Sequence, residues 1–153
     1  MKSFKQHILE KLKVSVKNTT KHTLFPKTKD ELKQMIKDEI SKNGNECSLN
    51  HIDTSEIIDM SELFYKSDFN GDISDWNVSN VEDMGYMFGH SFYNGDISNW
   101  DVSKVKRFDA MFRNSAFSGD ISKWQINPAA KRRMAGMFDN SPLENNTPDW
   151  YIK

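Results

Sequence analysis

Apolar and polar positions along this chain recur in blocks. From residue 70 the order NGDISDWNVSNVEDMGYMF is followed by NGDISNWDVSKVKRFDAMF from 94 and by a longer SGDISKWQINPAAKRRMAGMF from 118. Trp76, Trp100 and Trp124 keep a step of 24, as do Gly71, Gly95 and Gly119, and Phe64, Phe88 and Phe112. Phe138 and Trp150 each follow their predecessors by 26. Leu49, Ile52, Asp53 and Ser55 lie 24 before Ile73, Trp76, Asn77 and Ser79, so 47–64 reads as a degenerate first unit. Units of this length cannot bury an apolar face alone and must stack on their neighbours.

Each unit predicts two elements. Residues 72–77 set β-branched and aromatic side chains after a glycine turn, the mark of a short strand. Ser79 offers an N-cap with Glu82 at the capping-box position. Val81, Met84, Met87 and Phe88 then follow at helical spacing. Equivalent stripes are Ile57, Met60, Leu63, Phe64, then Val105, Phe108, Met111, Phe112, then Met134, Met137, Phe138, with Pro128 at the first helical position of the last unit. Residues 147–152 read as a fifth strand. One strand and one helix per unit predict an α/β solenoid, with parallel strands on one side and short helices on the other.

Ahead of the repeats, Phe4, Ile8, Leu9, Leu12 and Val16 mark one face of a basic amphipathic helix, and Pro26 punctuates a linker. Thr28 and Glu31 make a capping box for a second helix reaching about Lys42, with Leu32, Met35, Ile36 and Ile40 as its stripe and Gly44 as its stop. The organisation is therefore an amphipathic helix and linker over 1–27, a capping helix over 28–44, and a repeat solenoid of about four units over 45–153.

The run from Phe69 to Ser79, FNGDISDWNVS, followed by Val81, Met84, Met87 and Phe88, resembles the BspA-type leucine-rich repeats of bacterial surface proteins, a family also found in mycoplasmas and mobile elements. The resemblance covers about 45–153, and PKTKDELKQMIKDEI looks like the segment that often precedes such repeats. It implies a short right-handed leucine-rich-repeat-like solenoid and a binding role, chiefly adhesion or host contact. It implies no enzyme.

Composition changes this picture little. Apolar residues make up 37% and aromatic residues 12%, so Phe, Trp and Met must do the burying that Leu and Val usually do. The single Cys47 rules out an internal disulfide. No signal peptide, lipid-attachment site, wall anchor or membrane span is visible, which predicts a cytoplasmic protein. Charge is segregated: 1–43 carry +6, 44–100 carry −10 and 101–153 carry +3, within a net charge of −1.

Candidate chemistry is sparse. Asp72, Asp96 and Asp120 form a column of single acids, better suited to closing turns than to holding Ca²⁺. The Trp column suits a stacked core better than a carbohydrate platform. His7, His22, His51 and His90 fall in separate segments with no metal-site spacing, and no phosphate-loop, dinucleotide or nucleophile-elbow motif occurs. No catalytic, cofactor or metal residue is assigned. The function expected is a non-enzymatic protein–protein interaction module, an inhibitor or adaptor of a mobile element. Glu56, Asp59, Glu62, Asp75, Glu82 and Asp83 would form its acidic partner surface. One alternative is nucleic-acid or nucleoprotein binding through Lys104, Lys106, Arg107, Arg113, Lys131, Arg132 and Arg133. Another is a fragment of a surface adhesin. Leu143, Trp150 and Ile152 would pack the C-terminal end against another molecule, most simply a second copy in a homodimer.

Overall fold

In the computed structural model of the chain the described residues are 21–153, so the amphipathic helix expected over 3–16 lies outside them. The repeats are built from turns. Their smallest part is a five-residue corner: Asp or Asn, an apolar residue, Ser or Gly, any residue, then a second apolar residue. The unit over 72–95 contains three, at Asp72–Trp76, Asn77–Val81 and Asp83–Met87. In each, the first side chain accepts the N–H of the third residue, from Ser74, Ser79 and Gly85 at 2.9, 3.0 and 2.8 Å. The N–H of the fifth residue then donates to the carbonyl of the second, from Trp76 to Ile73, Val81 to Val78 and Met87 to Met84. Asp, Asn and Ser favour such local closure because their short polar side chains reach backbone groups two residues away. Each corner turns both of its apolar residues inward, and all six are buried.

Successive coils, taken as 48–71, 72–95, 96–119 and 120–145, are joined by backbone bonds. Met84, Tyr86, Phe88 and His90 donate to the carbonyls of Arg107, Asp109, Met111 and Arg113. Met60, Glu62, Phe64 and Lys66 do the same one coil earlier, and Phe108, Ala110, Phe112 and Asn114 one coil later, all at 2.7–2.9 Å. The amides between them, such as Met87, Gly89 and Ser91, close turns to the residue three before, at 3.0–3.3 Å. Cross-coil and local bonds therefore alternate, and this stretch of backbone is satisfied without helix or sheet.

The α/β leucine-rich-repeat-like solenoid expected from the sequence is overturned. Among the described residues the helical segments are α1, Lys29–Asn43, and a 3-10 turn, Pro128–Arg132. Pairing of β type is limited to four isolated parallel bridges, Leu24 with Ile52, Ser48 with Asp72, Asp59 with Asp83, and Asp83 with Arg107. The physical reason is in the backbone. Left-handed residues recur at Glu62 and Lys66, Tyr86 and His90, Ala110 and Asn114, and Gly136 and Asn140. An α-helix requires continuous right-handed dihedrals, so it cannot pass through them. Ile73 and Trp76, three apart, would face opposite sides of a strand, whereas the turn buries both. Residues 147–152, the expected fifth strand, also form turns, with the Tyr151 N–H on the Pro148 carbonyl.

Aromatic rings fill the core in register with the coils. Phe64, Phe88, Phe112 and Phe138 stack in one column, with centroids 5.6, 5.7 and 5.8 Å apart and planes within 5°. Phe69, Tyr93 and Phe117 stack in a second column beside it. Trp76, Trp100, Trp124 and Trp150 each donate Nε1–H to the coil before, on the carbonyls of Leu49, Ile73, Ile97 and Ile121. The glycine column has a steric cause. A Cβ at Gly71 would stand 1.9 Å from the Cys47 carbonyl oxygen, and one at Gly95 2.5 Å from the Tyr93 hydroxyl.

Helix α1 lies against the first coil. Thr28 caps it by accepting the Glu31 N–H, and Glu31 in turn accepts from the Lys27 N–H. Gly44, at φ 85°, closes the other end on the Ile40 carbonyl. Leu32 and Ile36 are buried, and Lys29 Nζ reaches Ser61 Oγ at 2.6 Å. No helix among the described residues is long and apolar enough to cross a membrane.

Candidate functional site

The polar groups most suggestive of chemistry are occupied by the scaffold. Asp72, Asp96 and Asp120 each accept from the backbone and hydroxyl of a serine two residues on, the hydroxyls at 2.6 Å. These hydrogen bonds, from Ser98 and Ser122, hold the Asp96 and Asp120 carboxyls below their ordinary range, as Ser103 does for Asp101. Among the described residues no cluster of His, Cys, Asp or Glu could hold a metal ion. Burial raises the Cys47 thiol above its usual range and so disfavours the reactive thiolate.

The 24-residue period brings the acidic and basic candidates onto each other. Glu82 meets Lys106 at 3.0 Å and Asp83 meets Arg107 at 3.3 Å, one coil apart. Arg107 and Arg133 both reach Asp109, and Lys104 donates to Asn80. Glu56 pairs with Lys27 and Asp59 with Lys29. Of the six acids, Glu62 and Asp75 have no ion pair among the described residues. Of the seven bases, Lys104, Arg113, Lys131 and Arg132 have none.

Two surfaces stand apart from the scaffold. The first is a flank where Glu56, Asn80 and Lys104 share one column and Ile58, Glu82 and Lys106 share the next. Ile58 is 58% exposed, in a column where later coils carry charge. With Ser55, Glu56, Asn80, Glu82 and Lys104 it lines a depression of about 360 Å³. Ile58 was not among the residues picked out from the sequence. Aligning the units at 24 reveals it, as the apolar member of a charged column.

The second surface is the C-terminal end. Of its expected packing residues, Leu143 is buried and Trp150 half-buried, with its ring 6.2 Å from Trp124, so both serve the last coil. Ile152 is exposed. With Tyr151, Met134, Gly136 and Phe138 it lines a cavity of about 490 Å³ bordered by Lys131 and Arg132.

No curated protein and no solved structure matches the chain. A family model does, over residues 30–150, which takes in α1 except for Lys29, all four coils and the last tryptophan. The chain therefore belongs to the family described as Mycoplasma protein of unknown function, DUF285.

Proposed function

We propose that this chain is a non-enzymatic protein-interaction module that binds its partner through the flank centred on Ile58. The observation that carries the reading is an exposed aliphatic side chain inside a rim of Glu56, Asn80, Glu82 and Lys104. An apolar centre with a polar rim is the usual anatomy of a protein interface. The scaffold does not require isoleucine there, because Glu82 and Lys106 hold the same place in the next two coils. The rim carries both signs, so it fits a partner presenting an apolar side chain between an acid and a base.

This reading is preferred to nucleic-acid binding because Lys106, Arg107 and Arg133 are already matched to carboxylates. We also read the repeat, from its FNGDISDWNVS core, as BspA-type, consistent with a binding role. The test is affinity capture with the wild-type chain and with Ile58→Asp, followed by titration of the purified partner. The expected result is at least about fivefold weaker binding with unchanged melting, since a central interface residue contributes more than about 1 kcal/mol. Equal capture by both chains refutes this surface. Binding to generic DNA with a steep salt dependence would favour the alternative.

A further inference from the structure

Among the described residues, the last coil carries a row of backbone donors with no acceptor. In each earlier coil the four alternating amides of this stretch donate to the coil that follows. Their equivalents in the last coil are Met134, Gly136, Phe138 and Asn140. Among the described residues none of these four N–H groups has a partner, although the intervening amides of Met137, Asp139 and Ser141 keep their local turns. Met134, Gly136 and Phe138 line the cavity of about 490 Å³ at this end.

We propose that this end binds a polypeptide segment with an acidic pair at its start, which lays its backbone down as one more coil. The polarity of the edge limits the occupant. Over these four positions it offers donors only, so the ligand must bring carbonyls on alternate residues, as a chain in the register of 83–89 does. Two copies meeting through this end would set donors against donors. The carbonyl edge of a second copy, at Asp59, Ser61, Leu63 and Tyr65, lies in the coil that α1 packs against. Charge sets the direction and the first residues. Arg132 and Arg133 occupy the column in which Glu82 and Asp83 face Lys106 and Arg107. Arg132 is exposed and without an ion pair among the described residues. An Asp or Glu pair entering here would meet Arg132 and share Arg133 with Asp109, as Asp83 and Asp109 share Arg107. Asp139 and Glu144 also line the cavity, at positions away from this column.

The test uses the full chain and a synthetic peptide of residues 80–92, NVEDMGYMFGHSF. In the peptide-free chain the amides of Met134, Gly136, Phe138 and Asn140 should exchange with solvent at least about a hundredfold faster than those of Ala110 and Phe112, since exchange reports local opening. Saturating peptide should slow these four amides at least about tenfold. Lysine at both acidic positions of the peptide, or Arg132→Glu with Arg133→Glu in the chain, should weaken binding about tenfold or more, and the two reversals together should restore part of it. Three results would overturn the proposal. One is slow exchange of the four amides before peptide is added, which means that the chain itself or a second copy covers the edge. Another is no binding at 1 mM peptide, roughly the limit of a weak contact. The third is binding that leaves the four amides unchanged. Ile58→Asp should not alter this binding, so the outcome is separable from that of the flank.

Discussion

Trp100 offers the sharpest test of how the coils are held. Its ring is buried, it rests on Phe88 with centroids 6.3 Å apart, and its Nε1–H reaches the Ile73 carbonyl of the preceding coil at 3.2 Å. Trp100→Ala removes the ring and the bond, and truncation of a buried aromatic costs about 3–5 kcal/mol. Trp100→Phe keeps most of the apolar volume and loses the bond, which has a net worth of about 0.5–1.5 kcal/mol. The Ile73 carbonyl is not orphaned in either variant, because it still accepts the Trp76 N–H at 3.1 Å. Phenylalanine should therefore cost roughly a third of what alanine costs. Thermal melting followed by circular dichroism resolves this, because 1 kcal/mol moves the midpoint of a chain this long by about 2–4 °C. An alanine variant melting within about 2 °C of the parent would show that the ring is not structural. A phenylalanine variant as damaged as the alanine one would show that the bond, and not the packing, dominates.

Other consequences are open to the same assay. Among the described residues the buried Tyr93 hydroxyl has no partner, in a column where Phe69 and Phe117 stand, and burial with nearby Asp72 and Asp96 pushes its ionisation upward. Tyr93→Phe should therefore raise the melting temperature, by up to the cost of about 1–3 kcal/mol for an unsatisfied buried group; a lower midpoint would mean that the hydroxyl is satisfied. Gly71→Ala forces a Cβ to 1.9 Å from a backbone oxygen and should destabilise far more than Gly44→Ala, where nothing lies within 4 Å and only the backbone cost of a side chain at φ 85°, ψ 171°, about 1–3 kcal/mol, applies. The reverse order would contradict the close coil contact. Asp96, Asp101 and Asp120 titrate below their ordinary 3.8 because serine hydroxyls and amides bond the charged form. Their contribution is thus complete above about pH 5 and lost as the pH falls through about 4 and below. Midpoints should be flat from neutral pH to about 5 and drop on further acidification; a rise in that window would reverse the sign.

Much of the stacking could be read from the chain. The step of 24 set Glu82 over Lys106 and Asp83 over Arg107, and it aligned Phe64, Phe88 and Phe112 into the observed column. Local structure was harder to read, because the inward pattern of a turn ladder imitates a helix. Val81, Met84, Met87 and Phe88 are all buried, as a helical stripe would be, yet the connecting backbone passes through left-handed Tyr86. Signals against a helix were present. Gly85 and Gly136 fall inside the expected helices, and Asn114 and Asn140 stand where left-handed dihedrals occur. The five-residue corner was also visible, as DISDW, NVSNV and DMGYM in succession. The open donor edge was not, because it depends on which amide faces which coil, a property of the backbone path and not of side-chain type.

The central claim is that the coils are joined by backbone bonds across 23 residues, or 25 at the last junction, such as Phe88 to Met111 and Phe112 to Met137, in place of helical bonds within each unit. Scalar coupling through the hydrogen bond, measured by NMR between an amide nitrogen and its acceptor carbonyl carbon, tests it directly. Coupling from the Phe88 nitrogen should appear at the Met111 carbonyl, with matching couplings from Tyr86 to Asp109 and from His90 to Arg113. Coupling from Phe88 to the Met84 carbonyl, the helical partner four residues back, would contradict the account.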